Sequence, residues 1–192
     1  MATPAVAASS AGALYWLVVT GRVTVDLGWG RRVRALGPLD VEVGASAEAV
    51  FDVVAEPYLG RTTRALAEKL RVLERTPGMV LAEHYTSVGR RMRAVTLETV
   101  AFERPERVSF RLLRGPVPYV VEQFNLSEAD GVTRLEYSGE LGTDLGVLGA
   151  WWGGLVAQRW EQAVRETFES VKAEAERRSR PRRPATTRAA RS

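Results

Sequence analysis

His84, Tyr85, Arg93, Glu98 and Glu122 are the residues of this 192-residue chain whose types and surroundings could do chemistry. His84 titrates near neutral pH, so it could give or take a proton, with Tyr85 and Arg93 as partners in a proton shuttle. No acid is fixed beside His84 by spacing, and a hydrogen-bonded structural histidine is the plainer reading. Arg93, Glu98 and Glu122 fall in segments with strand character. An inward charge there is costly without a partner, and pairing across the sheet is expected. The chain has one histidine and no cysteine. That argues against a histidine-rich metal site, disulfides, thiolate catalysis and cysteine-ligated zinc. No metal and no cofactor are expected. The phosphate loop, dinucleotide fingerprint and nucleophile elbow are missing. Gly28-Trp-Gly30 lacks the strand-to-helix setting of a nucleotide loop.

These residues must be positioned by a sheet and helices. Leu39 to Val43 alternates apolar and acidic, as a half-buried strand does. Ser46 can cap a short helix through Glu56, with Val50, Phe51 and Val54 inward and Pro57 as its stop. A second short helix is expected around Thr63 to Lys69. The period then changes to two, predicting strands at Leu70–Arg75, Met79–Tyr85, Met92–Phe102, Arg107–Leu113, Tyr119–Ser127 and Val132–Leu141. Their separators include Pro77-Gly78, Gly115-Pro116 and Asp130-Gly131, which are turn formers. Short connections imply an antiparallel meander. Phe124 with Leu126, Leu135 with Tyr137, and Val108 with Phe110 and Leu112 each share one face.

A single helix is predicted from about Leu145 to Arg178. Trp160, Val164, Phe168, Val171 and Ala175 mark its buried face, and Gly149 and Gly153 fall on that face one and two turns earlier. Glycine costs about 1 kcal/mol relative to alanine inside a helix, so the pair needs space. Either a cavity lies beneath them or a backbone packs close; the cavity is the reading taken forward. Trp151 and Trp152 lie off this arc; packing on residues 11–36 is the plainer reading, with the mouth of the pocket and insertion into a membrane surface as the alternatives.

Seven of the 27 basic residues are arginines between Arg177 and Arg191, leaving 20 basic against 23 acidic residues in the first 176. The pI near 9.8 therefore belongs to a tail, and nucleic acid is not the expected partner. Residues 177–192 are expected to be a disordered basic extension. Residues 1–38 form an apolar segment and connector without charge before Arg22. Three readings stay open for that segment: a helix docked on the domain, an interfacial anchor, or a short membrane span. Lack of cysteine fits a cytoplasmic setting, with membrane association through the amino-terminal segment as the variant.

Val41-Glu-Val-Gly-Ala-Ser-Ala-Glu-Ala-Val-Phe-Asp-Val-Val54 resembles the opening of the SRPBCC or START-like superfamily. Phe102-Glu-Arg-Pro-Glu-Arg-Val-Ser-Phe110, Gly115-Pro116 and the stretch from Phe124 to Arg134 resemble its middle strands. Trp160 to Glu174 resembles its terminal helix. The resemblance spans residues 39–176 and is nearest to polyketide cyclase/dehydrase-like members. It implies an α+β helix-grip fold, a curved antiparallel sheet of six or seven strands around a long terminal helix, with two short helices after the first strand. It also implies a hydrophobic ligand such as a lipid or polyketide, and it carries over no catalytic residue.

Taken together, these readings point to a binder of a hydrophobic small molecule in a cavity between sheet and terminal helix. Phe110, Phe124, Tyr137 and Trp160 would line it, with Gly149 and Gly153 supplying room. A cyclase or aromatase using Tyr85, His84 or Arg93 is the first alternative. A membrane-associated interaction protein is the second.

Overall fold

The structure, a computed structural model, describes residues 4–60, 69–88 and 92–180. Helix α1 spans Pro4–Val19, followed by strand β1 (Arg32–Val43) and helix α2 (Ala47–Leu59). Six strands then run in succession: β2 (Leu70–Thr76), β3 (Met79–Val88), β4 (Met92–Glu103), β5 (Arg107–Arg114), β6 (Tyr119–Ala129) and β7 (Val132–Thr143). Helix α3 (Gly146–Ser179) closes the described chain. All pairings are antiparallel, and the seven strands lie in the order β1-β7-β6-β5-β4-β3-β2. This is the helix-grip arrangement, with β1 returning to pair with the last strand and α3 packed on both.

The meander forms because each run of alternating residues ends at a turn former, and the alternation itself fixes register, since a one-residue slip would turn every apolar side chain outward. Val108, Phe110 and Leu112 are buried on β5, facing Val120, Phe124 and Leu126 from β6. On α3 the buried residues Gly149, Gly153, Ala157, Val164, Phe168, Val171 and Ala175 form one stripe. Ser46 caps α2, its hydroxyl accepting from Ala49 N.

Strands β2 to β7 each run one to three residues past the ends read in the sequence, and three further boundaries differ. β1 begins at Arg32 rather than Leu39, because Arg32 to Leu36 continues the ladder to β7 beyond an irregularity between Leu36 and Leu39. Pro57 does not stop α2. The helix continues to Leu59, held past the proline by Gly60 N donating to Glu56 O and by burial of Tyr58. Arg177 and Arg178 are the last turn of α3, where both pair with Glu174. The helix expected around Thr63 to Lys69, and the basic extension from 181 onward, lie outside the described residues.

Helix α1 docks on the domain through its carboxyl-terminal half. Tyr15 meets Trp152 edge to face at 6.2 Å, and beyond the helix Thr24 Oγ1 donates to Gly115 O at 2.8 Å. Among the described residues, no helix is long and apolar enough to cross a membrane.

Candidate functional site

The concave face of the sheet and the buried stripe of α3 enclose an aromatic interior. Phe110 and Phe124 meet edge to face at 5.1 Å, Phe124 meets Phe168 at 5.3 Å, and Tyr137 lies 5.9 Å from Phe124. Register explains the grouping, since Phe110 sits opposite Glu122 and Phe124 opposite Tyr137. Phe110, Phe124, Tyr137 and Trp160 are thus brought together on one side of the sheet, with Trp160 half-buried on α3.

Gly149 and Gly153 do not supply room. A Cβ on Gly149 would overlap the carbonyl oxygen of Asp144. One on Gly153 would lie 3.0 Å from Thr143 Cγ2 and 3.3 Å from Leu141 Cδ2. The cause is the reversal from β7 into α3. Leu145 and Gly146 both have positive φ, 70° and 59°, and this sharp turn folds the end of β7 back onto the first turns of the helix. The glycines are packing residues of that reversal, and the expectation that they open a cavity is corrected.

Within the apolar shell sits a set of polar groups that strand alternation aims inward. Glu122 lies between Val120 and Phe124 on β6, and Glu98 between Thr96 and Val100 on β4. Both carboxyls are buried. Glu122 Oε2 accepts from Tyr137 Oη at 2.7 Å and from Trp160 Nε1 at 2.6 Å. Burial, and next the nearby charge of Glu98, push the Glu122 carboxyl up to about 8, against the opposing pull of its two donors. At neutral pH Glu122 thus favours its protonated form, which can donate a hydrogen bond.

The second half of the set is centred on His84. Its Nε2 lies 2.9 Å from Tyr58 Oη, and its Nδ1 lies 3.2 Å from Glu98 Oε2. The latter contact is off the axis of a hydrogen bond, and Nδ1 is buried without a hydrogen-bonded partner among the described residues. Burial, followed by the charges of Glu98 and Glu122, raises the Tyr58 hydroxyl far above its ordinary range, so it stays a phenol. The His84 side chain is 22% accessible, so the polar set runs from the interior to the protein surface.

Tyr85 and Arg93 belong elsewhere. Alternation along β3 and β4 places both on the opposite face of the sheet from His84, with the Arg93 guanidinium 5.8 Å over the Tyr85 ring. There they line a concavity of about 480 Å³ together with Trp16, Arg22, Glu83 and Arg114. The proton shuttle of His84, Tyr85 and Arg93 is therefore corrected, because the strand separates its members.

The groups missed from sequence were Tyr58 and the inward aim of both glutamates. Tyr58 follows Val54 by one turn but lies beyond Pro57, where the helix was expected to stop. For Glu122 the signal was present, since it shares parity with Phe124 and Leu126. No group of acids and histidines that could hold a metal occurs among the described residues.

Residues 39–176 match the family described as polyketide cyclase / dehydrase and lipid transport, and the chain belongs to that family. Among solved structures it is similar to the Zhui aromatase/cyclase of Streptomyces sp. R1128, at 19% identity and a TM-score of 0.61, over 78% of this chain and 96% of that one. It is also similar to TTHA0849 from Thermus thermophilus, at 14% identity and a TM-score of 0.59, over 78% and 100% of the two chains. The di-domain aromatase/cyclase StfQ of the steffimycin pathway matches at 13% identity and a TM-score of 0.56, over 77% of this chain and 52% of that one. These likenesses concern the fold. No curated protein sequence matches the chain.

Proposed function

We propose that the protein binds a hydrophobic small molecule, of lipid or polyketide type, between the concave sheet and α3, without a defined reaction. The observation that carries this reading is the pair Glu98 and Glu122, two buried carboxyls that have no arginine or lysine partner among the described residues. A domain needing only a core would fill these positions with aliphatic side chains, because a buried carboxyl is costly unless fully bonded. A mostly apolar ligand carrying one carbonyl or hydroxyl oxygen gives them a purpose. Protonated Glu122 would donate to that oxygen, and the ring faces of Phe110 and Phe124 would meet the ligand's apolar body. Tyr137 and Trp160 hold Glu122 in place for this contact.

Native mass spectrometry of the full chain purified from its host tests the proposal. An adduct of low polarity, released by organic solvent and weakened in Glu122→Gln, is the expected result. Protein that carries no ligand and takes up no hydrophobic probe at the aromatic interior would sink it.

A further inference from the structure

We infer that the first turns of α3, together with the loop carrying Leu27 and Trp29, form a docking face for an anionic lipid surface. The inference stands apart from the ligand proposed for the interior. Two sides of the same helix segment are apolar. Gly149, Gly153 and Ala157 face the core, while Val147, Leu148, Trp151 and Leu155 on the far side are exposed. Trp151 is 63% accessible, and the exposed side turns polar only from Gln158 and Arg159 onward. A surface helix ordinarily presents charged and polar residues there.

The neighbouring loop extends this face and is held rigidly. The Asp144 carboxylate accepts from Leu27 N at 2.6 Å, Gly28 N at 2.8 Å and Arg31 Nε at 2.7 Å. Trp29 O accepts from Leu145 N, and Gly30 O from Gly146 N, which pins the loop to the start of α3. All these bonds leave Leu27 65% and Trp29 73% accessible. A loop ordered in this way has little conformational freedom left to lose on docking.

The charge around the face is net positive, with Arg31, Arg32, Arg34 and Arg159 set against Asp26 and Asp144 at its edge. Residues 27–39 and 145–160 hold four arginines and no acid. Arg31 pairs with both Asp26 and Asp144, which leaves that trio one negative charge in excess, while Arg32, Arg34 and Arg159 are exposed and keep the face positive. The amino end of α3 carries no acid in its first turn, and the Asp144 carboxylate just before it is taken up by Arg31 and the loop N–H groups. Tryptophans and leucines rimmed by arginines match the layering of an anionic bilayer surface, where indole rings sit at headgroup level and arginines meet phosphates. The occupant is therefore an anionic lipid surface.

Flotation of the full chain with phosphatidylcholine vesicles, with and without phosphatidylglycerol, tests the inference. Binding to the anionic vesicles should be roughly tenfold tighter and should weaken as salt rises. Trp29→Ala and Trp151→Ala should each lower it by about fivefold or more, with thermal midpoints unchanged because both side chains are exposed. The arginine-rich segment after Arg180 is intact in these variants, so a loss reports the face itself. Failure to float with anionic vesicles overturns the inference, and so does flotation that both tryptophan variants retain in full. Concentration-dependent self-association that Trp151→Ala abolishes, without vesicle binding, would assign the face to a second copy of the chain and also overturn it.

Discussion

The indole nitrogen of Trp160 donates to Glu122 Oε2 across 2.6 Å, so the terminal helix is bonded to the centre of the sheet through a buried carboxyl. Tyr137 donates to the same oxygen from the adjacent strand at 2.7 Å. Two structural layers and one ionisable group thus meet at a single atom. Changes at that atom should appear both in stability and in its pH dependence.

Removing one donor should be costly without emptying the core. Trp160→Phe keeps most of the ring volume but leaves Glu122 with Tyr137 alone. A loss of about 1–3 kcal/mol is expected in urea unfolding, the usual range for a buried polar group deprived of a partner. An unchanged midpoint would mean that the indole bond contributes nothing.

The pH dependence follows from the direction of the shift. The native Glu122 carboxyl is raised from 4.5 to about 8, so the folded state holds its proton more tightly than the unfolded chain does. Its contribution is full below the ordinary carboxylate range and is lost as pH rises through about 8. Glu122→Gln cannot ionise. Its melting temperature should therefore gain on that of the wild type across this window, by several degrees at about 2–4 °C per kcal/mol for a domain of this size. Parallel profiles for the two proteins would show that Glu122 titrates normally.

The reversal into α3 should tolerate Gly149 and Gly153 substitutions unequally. A methyl at 149 meets the fixed carbonyl of Asp144, whereas one at 153 meets side-chain atoms of Thr143 and Leu141 that can give way. Gly149→Ala is expected to cost about 3 kcal/mol or more, and Gly153→Ala about 1 kcal/mol or less, in chemical denaturation. Equal, small effects would restore open space beneath both.

Asp144 should behave as an acid-sensitive clamp. The Arg31 guanidinium, helped by two backbone N–H donors, holds its carboxyl down to about 2. Its contribution is present above the ordinary aspartate range and fades as pH falls toward about 2. Asp144→Asn should lose about 2–3 kcal/mol at neutral pH, the scale of a charge-assisted hydrogen bond. The difference from wild type should narrow in acid. A difference independent of pH would mean that the carboxylate's charge is irrelevant to the clamp.

Much of the fold was legible because alternation and turn chemistry agree along residues 70–143, and because α3 carries a single long stripe. Parity alone was enough to place Phe110, Phe124 and Tyr137 on one face. The same parity aimed Glu122 inward, but charged strand residues so commonly face solvent that the expectation of surface pairing prevailed. His84 and Tyr85 show the limit from the other side. Neighbours in sequence looked like partners in chemistry, yet consecutive strand residues project to opposite faces. Tyr58 was hidden by Pro57. The glycines of α3 were recognised as needing an explanation, but only the positive φ of Leu145 and Gly146 shows that a chain reversal supplies it.

That reversal also sets the mechanics of α3. Its beginning rests against main-chain atoms of Asp144, which leave no slack for sliding along the axis. Its far half is held by burial of Phe168, Val171 and Ala175, and its last turns also by solvent-exposed bonds, Arg178 donating to Glu56 on α2 and Gly44 N donating to Glu176. Such bonds are screened by salt and re-form readily. The two ends of α3 are thus held differently, the first by main-chain contact that salt leaves untouched and the last turns in part by charged pairs that salt weakens.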